Sequence, residues 1–388
     1  MTLTFLTDRT AERMAQLDER IVREWNARHP DVPVTLSLID HEELKEKLGD
    51  LLADERPADV MTWVAGNRSE SLTGDGLMLD VTPLWHRDDL SRAYDPRFRP
   101  GRGETAYYLP TSQYWWAVYY RRSVLESLGI ATPVENWEDL RAAARVLKSA
   151  GIAPFALGAK HHCPTAAWFD YLNMRINGSA FHRELLDLSV PYTDDRVRSV
   201  FAFWQRLLDD GWFLGSPTDH DEQDAVDALL DGRAGMTLIG AYVSDEYLPD
   251  DQSDIDLFRF PILDPRLPVG EDAPVDGYFA AGRTAAPEQA KEFLAYLGSR
   301  QVQQLTVETL TVLPTRDDVD VTRAAPHVVK GMDVLRRADA VSQFYDLDTP
   351  WELAEVGMAA FQAFLREPGR AGELLRMVED RRAQLRRL

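Results

Sequence analysis

The sequence holds a single cysteine, Cys163, so no disulfide can close within the chain and cysteine usage leaves the redox compartment open. No stretch approaches the roughly 18 uninterrupted apolar residues that a membrane helix needs. Basic residues are scarce beside acids, 43 Lys and Arg against 64 Asp and Glu, for a formal net charge of −21. Phosphate backbones demand a basic surface, so nucleic acid is not an expected partner. The opening Met1-Thr2-Leu3-Thr4-Phe5 has no basic region, apolar core or lipidation cysteine. That start fits a cytosolic protein, or an exported one whose signal was trimmed and replaced by a start methionine. Nucleophile-elbow, phosphate-loop and dinucleotide motifs are also missing.

What remains is an ordinary globular composition, 45% hydrophobic and 28% charged, over 388 residues. That length exceeds what one hydrophobic core usually organises, so two domains are expected. The first third alternates strand and helix. Leu3 to Thr7 reads as a short buried strand, then Met14, Leu17, Ile21, Val22 and Trp25 recur at helical spacing until His29-Pro30 stops them. Val32 to Ile39 is a second strand, Leu44 to Leu52 a second helix, and Ala58 to Trp63 a third strand. A β-α-β-α-β run of this kind implies a parallel sheet with right-handed crossovers. In such sheets, ligands bind at the loops leaving the carboxyl ends of the strands. An aromatic, Gly/Pro-rich stretch from Phe98 to Tyr120 interrupts the alternation. Helices then resume at Trp137 to Ala150, Trp168 to Ile176, Arg196 to Asp209, Glu222 to Leu230, Pro287 to Leu297 and Trp351 to Phe364, with a buried strand at Met236 to Ile239. Arg381, Arg382, Arg386 and Arg387 read as the solvated face of a last helix.

The order of landmarks resembles the carbohydrate-binding ABC-transporter extracellular solute-binding proteins, family 1, which are maltose-binding-protein-like. Ala58-Asp59-Val60 running into Trp63-Val64-Ala65-Gly66 carries the likeness, followed by Tyr108-Leu109-Pro110-Thr111 and Trp116-Ala117-Val118-Tyr119-Tyr120. Asn136-Trp137-Glu138-Asp139-Leu140, Gly151-Ile152-Ala153-Pro154 and Trp168-Phe169-Asp170-Tyr171-Leu172-Asn173 continue it. Ala228 to Gly240, Glu292 to Leu297 and Leu313-Pro314-Thr315 complete it over nearly the whole chain. The resemblance implies an α/β, two-lobed periplasmic-binding-protein type II fold, each lobe a central sheet flanked by helices, joined by a multi-segment hinge. It puts residues 1–111 and 264–314 in an N-terminal lobe and residues 112–263 and 315–388 in a C-terminal lobe. It also implies capture of a sugar, a di- or oligosaccharide, between the lobes, and delivery to the membrane permease subunits of an ABC importer. The expected protein is an extracytoplasmic monomer, periplasmic or lipid-anchored at the cell surface, with no cofactor, metal or catalytic activity.

A sugar presents apolar C–H faces and a rim of hydroxyls, so its site needs flat aromatic walls beside fixed donors and acceptors. Within the cluster from Tyr107 to Tyr120, Tyr114 and Trp116 are the preferred platforms and Trp115 a third candidate. Trp63 closes the third strand and Asn67 lies in the loop after it. Asp8, His41 and Glu42 follow the first two strands, where helix capping is the competing role. In the second lobe the candidates are Trp168, Asp170, Tyr242, Tyr345, Asp348 and Trp351. Asp276, Tyr278 and Arg316 complete the set, while Arg175 on the Trp168 helix is read as a partner for a neighbouring acid. His161-His162-Cys163 would suit a metal poorly, because three adjacent residues cannot all face one tetrahedral ion. A peptide, polyamine or anion ligand on the same fold, and a glycoside-active enzyme with paired carboxylates, are the alternatives.

Overall fold

The computed structural model describes residues 2–65, 72–73, 76–100, 104–161 and 163–387. Asn67 and His162 lie outside the described residues, as do the side chains of Glu42 and Cys163. In chain order the strands are β1 (Leu3–Thr7), β2 (Val34–Leu38), β3 (Val60–Val64), β4 (Tyr108–Gln113), β5 (Trp116–Arg121) and β6 (Ala153–Ala156). They continue as β7 (Ala234–Gly240), β8 (Ile255–Phe258), β9 (Gly270–Asp272), β10 (Val275–Ala280), β11 (Leu313–Pro314) and β12 (Ala340–Ser342). The chain forms two compact units, residues 1–114 with 274–329 and residues 115–273 with 330–388.

Unit 1 is built on a sheet of order β11-β4-β10-β3-β1-β2. The predicted alternation supplies its parallel part, β1 lying between β2 and β3. The helix Glu12–Arg28 buries Leu17, Ile21, Val22 and Trp25, the face that helical spacing selects. Its Asn26 side chain pins β2, donating to the Val34 carbonyl (2.9 Å) and accepting from the Val34 amide (2.7 Å). Phe5 of β1 meets Tyr278 and Phe293 edge to face at 5.8 and 5.6 Å, which ties the sheet to the helix Pro287–Leu297. Strand β10 enters from much later in the chain and runs antiparallel to both β3 and β4.

Unit 2 holds a sheet of order β6-β7-β5-β8, with β7 buried along its whole length, and a separate parallel pair, β9 with β12. The helix Trp137–Ser149 begins where the Asn136 side chain accepts from the Asp139 amide at 3.0 Å, and the chain turns away at Gly151 with φ of +76°. The helix Cys163–Asn177 buries Trp168, Phe169, Tyr171, Leu172 and Met174 around its circumference, so it runs through an interior. The expected Arg cluster is only partly a solvated face. Arg382 is buried, paired with Glu379 at 2.7 Å and donating to the Leu188 carbonyl at 2.6 Å.

The points where the chain passes from one unit to the other differ from those expected. Residues 112–114 stay in unit 1 because β4 continues to Gln113, bonded to β10 and β11. Residues 264–273 belong to unit 2, where β9 pairs with β12. Residues 315–329 belong to unit 1, where Gln303 accepts from the Thr315 and Arg316 amides at 3.1 and 3.2 Å. Only strand pairing and long-range hydrogen bonds decide to which body such a segment attaches.

Candidate ligand-binding site

At the carboxyl ends of β1, β2 and β3, unit 1 gathers a polar constellation where an open α/β sheet places its ligand. Asp8 follows β1 and His41 opens the helix His41–Ala53 after β2. The His41 Nδ1–H donates to Asp8 Oδ2 at 2.6 Å, and Thr62 Oγ1 of β3 donates to Asp8 Oδ1 at 2.8 Å. Burial pushes the Asp8 carboxyl up, but the hydrogen bonds and charge of His41, with Thr62 and Arg9, outweigh it and hold the carboxylate below its usual range. The imidazole of His41, half exposed, stacks near the Trp63 indole with centroids 5.9 Å apart and planes 22° apart. Arg9, adjacent in the same loop, reaches Asp18 at 3.4 Å and donates to Tyr278 Oη at 3.0 Å.

Asp276 joins this group through topology. It pairs with Val64 across β3 and lies on β10 beside Ser112 of β4, whose hydroxyl donates to Asp276 Oδ2 at 3.1 Å. Burial pushes the Asp276 carboxyl up to about 6 despite the Arg9 charge, since Asp8 repels it. Next to it, Gly277 lets β10 approach β4, because a Cβ there would sit 3.1 Å from the Tyr108 ring. Unit 1 thus offers a carboxylate, a weakly acidic carboxyl, an imidazole and a guanidinium beside one large indole.

In unit 2, Trp116 opens β5 opposite Gly240 of β7. Its ring stacks on Phe344 at 4.7 Å, nearly coplanar at 8°, and meets Tyr242 edge-on at 5.8 Å. Tyr242 in turn donates to Glu222 at 3.0 Å, which also accepts from Tyr247 at 2.9 Å. The Trp116 indole N–H has no hydrogen-bond partner among the described residues, although the residue is buried. Tyr114, Asp348 and Trp351 are half-buried.

Six expected site residues pack into the interior of their own units. Trp168 is enclosed edge to face by Phe155, Phe213 and Phe260 at 5.0, 4.9 and 5.6 Å. Trp115 is fully buried and lies so close to Gly331 that a Cβ there would stand 2.3 Å from its ring. Tyr278 is core to unit 1, its hydroxyl raised to about 12 by burial, partly offset by Arg9. Tyr345 is buried against Phe169 and Phe361, its hydroxyl 3.1 Å from that of Tyr192. Arg316 forks onto Asp318 with two bonds of 2.8 Å and donates to the Gly298 carbonyl at 3.0 Å. Asp170 is likewise buried, accepting from the Tyr345 amide at 2.9 Å. Arg175 pairs with Glu271 at 2.7 Å, the acid partner expected of it.

Sequence reasoning passed over Arg9, Thr62, Ser112 and Phe344. Arg9 and Thr62 were within reach of the strand-end rule that found Asp8 and Trp63. Ser112 and Phe344 carry no local signal, since each matters only through a partner more than 150 residues away, Asp276 and Trp116.

The chain belongs to the family of bacterial extracellular solute-binding proteins, whose profile matches residues 7–304. Among solved structures it is similar to the bacterial solute receptor AcbH, 26% identical, with a TM-score of 0.91 and 99% of each chain covered. That receptor is described as exclusively preferring β-D-galactopyranose. A chitin oligosaccharide binding protein shares the fold at 19% identity, TM-score 0.88 and 99% of each chain. An uncharacterized ABC transporter extracellular-binding protein of Pyrococcus horikoshii is 23% identical over 207 residues, 52% of this chain and 45% of that protein. The chain spans about half the length of the curated relatives it matches. The fold is the two-domain α/β solute-binding type, with helices flanking each sheet. Among the described residues no helix is long and apolar enough to cross a membrane.

Proposed function

We propose that the protein captures a sugar outside the cytoplasm and hands it to the permease subunits of an ABC importer. The observation that carries this reading is the constellation on unit 1. Asp8 and Asp276 accept or share protons with hydroxyls, His41 and Arg9 donate, and Trp63 offers a flat face beside them. A charged ligand fits it less well. A polyamine would want the carboxylates unpaired, whereas Asp8 is already bonded by His41 and Thr62. Trp116, with its unmatched indole N–H, and Tyr242 are the proposed contributors from unit 2. Tyr114, Asp348 and Trp351 are the second tier, with Glu42 and Asn67 retained from the sequence. The hinge closure that the family resemblance implies lets ligand act through differential affinity for two states. The protein works as a monomer, periplasmic or lipid-anchored, and catalyses nothing.

The test is a thermal-shift and calorimetry panel that begins with galactose and extends through disaccharides to longer oligosaccharides. A binder at about 100 times its dissociation constant stabilises by roughly 2.7 kcal/mol. Trp63→Ala and Asp8→Asn are expected to abolish that shift. A panel in which no sugar moves the midpoint while an amine, peptide or anion does overturns the carbohydrate reading. Turnover of nitrophenyl glycosides would overturn the non-catalytic one.

A further inference from the structure

Unit 2 buries three metal-ligating side chains together, none of them among the residues proposed to hold solute. Asp170 lies on the helix Cys163–Asn177, His182 on the helix Ser179–Leu186 and Asp272 on β9. All three are fully buried, and one donor atom from each lies within 4.8 Å of the others. Asp170 Oδ1, His182 Nε2 and both Asp272 carboxylate oxygens have no hydrogen-bond partner among the described residues. His182 Nε2 stands 3.5 Å from Asp170 Oδ1. Buried polar atoms are nearly always paired, so four orphans on three adjoining side chains need an explanation.

Protein cations do not supply it. The Arg175 guanidinium nearby donates to Glu271 at 2.7 Å and to the Phe260 carbonyl at 2.9 Å, with a further bond to the Gly270 carbonyl. Burial and the repulsion of neighbouring carboxylates push Asp170 and Asp272 well above the ordinary carboxylate range. A single shared proton would pair one oxygen of each acid, yet it would still leave the second Asp272 oxygen and the imidazole nitrogen unmatched. The His182 ring is fully buried, and the neutral imidazole is the form that ligates a metal.

We propose that Asp170, His182 and Asp272 form a buried site for one divalent first-row transition-metal ion, Zn²⁺ or Mn²⁺. One imidazole nitrogen with carboxylate oxygens is a donor set for these ions, whereas Ca²⁺ and Mg²⁺ favour oxygen alone. Bonds of about 2.0–2.2 Å hold tetrahedral donors roughly 3.4 Å apart. His182 Nε2 and Asp170 Oδ1 already stand at 3.5 Å, and Asp272 would close on them from within 4.8 Å. Ligation through Nε2 requires Nδ1 to carry the proton. That nitrogen faces the Asn173 amide at 3.0 Å, and Asn173 accepts from Asn177 at 2.8 Å. Turning both amides over lets Asn173 accept from Nδ1–H and orient the ring, as outer ligands do at metal sites, at the cost of the exposed Asn177 bond to the Arg196 carbonyl at 3.2 Å. The ion is structural. Asp170 also holds the Tyr345 amide, next to Phe344, which backs the Trp116 ring, so the metal braces the aromatic wall of unit 2 from behind. This assignment is independent of which solute the protein takes.

The test uses the full chain, stripped with EDTA, dialysed into metal-free buffer and analysed by elemental mass spectrometry. After reloading with Zn²⁺ or Mn²⁺, about one equivalent is expected to remain per chain, and the melting midpoint is expected to rise, whereas Ca²⁺ does neither. Asp272→Asn and His182→Gln are each expected to weaken metal binding at least tenfold, the loss that even a partner hydrogen-bonded to a ligand costs, while the exposed Asp195→Asn has no effect. Stripped wild-type protein that takes up less than about 0.1 equivalent, with an unmoved midpoint, overturns the site whether or not the variants fold. Undiminished uptake by Asp272→Asn overturns it too, by assigning the metal to the surface. If Asp272→Asn stabilises the metal-free protein and wild type never loads, the two acids share a proton instead.

Discussion

Replacing Arg175 with Met is expected to be among the most damaging single changes in unit 2, and its partner Glu271 is expected to explain why. Both side chains are almost fully buried, at 3% and 0% exposure. The guanidinium satisfies one Glu271 oxygen at 2.7 Å and the carbonyls of Phe260 and Gly270, and it lies 5.3 Å from the centre of the Tyr171 ring. Methionine fills similar space but donates nothing, so it strands a buried carboxylate beside Asp272. Breaking a buried ion pair from one side costs roughly 3–5 kcal/mol. The stranded carbonyls, at about 1–3 kcal/mol each, push toward the upper end unless water enters. For a domain of this size a loss of 1 kcal/mol lowers the midpoint by about 2–4 °C, so a fall of roughly 6–20 °C is expected.

Urea titration of wild type, Arg175→Met, Glu271→Gln and the double variant separates the causes. If stranded charge dominates, Arg175→Met with Glu271→Gln recovers at least about half of the loss, because the neutral amide no longer needs a counter-ion. Burial raises Glu271 above its usual value, and Arg175 opposes that rise. Without Arg175 the folded state binds its proton more tightly still. A carboxyl whose folded value is raised is fully compatible with folding below its unfolded value and costs stability as pH climbs through the folded one. The Arg175→Met deficit should therefore be larger at pH 8 than at pH 5. A single variant within about 0.5 kcal/mol of wild type, or a double variant no better than the single, would refute the reasoning.

Trp168→Ala should cost about 3–5 kcal/mol in urea unfolding, since three phenylalanines enclose the ring, and a loss below about 1 kcal/mol would return Trp168 to the ligand surface. Gly331→Ala should destabilise by about 1–3 kcal/mol, because the new methyl would stand 2.3 Å from the Trp115 ring; the shift in the urea midpoint followed by tryptophan fluorescence reads the change. Asp276, at about 6 when folded against the ordinary 3.8, binds more protons in the native state between those values. Stability should thus decline as pH rises through that window, and Asp276→Asn should flatten the decline, measured as the urea midpoint at several pH values. An unchanged slope would mean that Asp276 titrates normally.

Residues near in sequence carried their meaning locally. Alternation of apolar runs with helical spacing is a property of ten or twenty neighbours, so the parallel strands β1, β2 and β3 and the helices from Glu222 and Pro287 were legible from pattern alone. The rule for strand ends then pointed to Asp8, His41 and Trp63, because the loop that follows a parallel strand is fixed by the strand itself. Aromatic clusters were less readable: a tryptophan has the same spacing whether its ring is enclosed by phenylalanines, as Trp168 is, or lies beside a half-exposed imidazole, as Trp63 does. Composition proposes such residues, and packing sorts them.

The chain order of residues determined that the protein is α/β and built in two bodies, and it pointed to the acidic and aromatic side chains at the carboxyl ends of the first strands. Tertiary structure alone decided the rest. It slid β10 between β3 and β4 to set Asp276 beside Ser112, gave residues 264–273 to unit 2 through the pairing of β9 with β12, and drew Asp170, His182 and Asp272 to one buried point. The physical reason is that a hydrogen bond or a metal site depends on distance in space. Separations of ten to more than a hundred residues leave that distance undefined until strands pair and side chains lose their water.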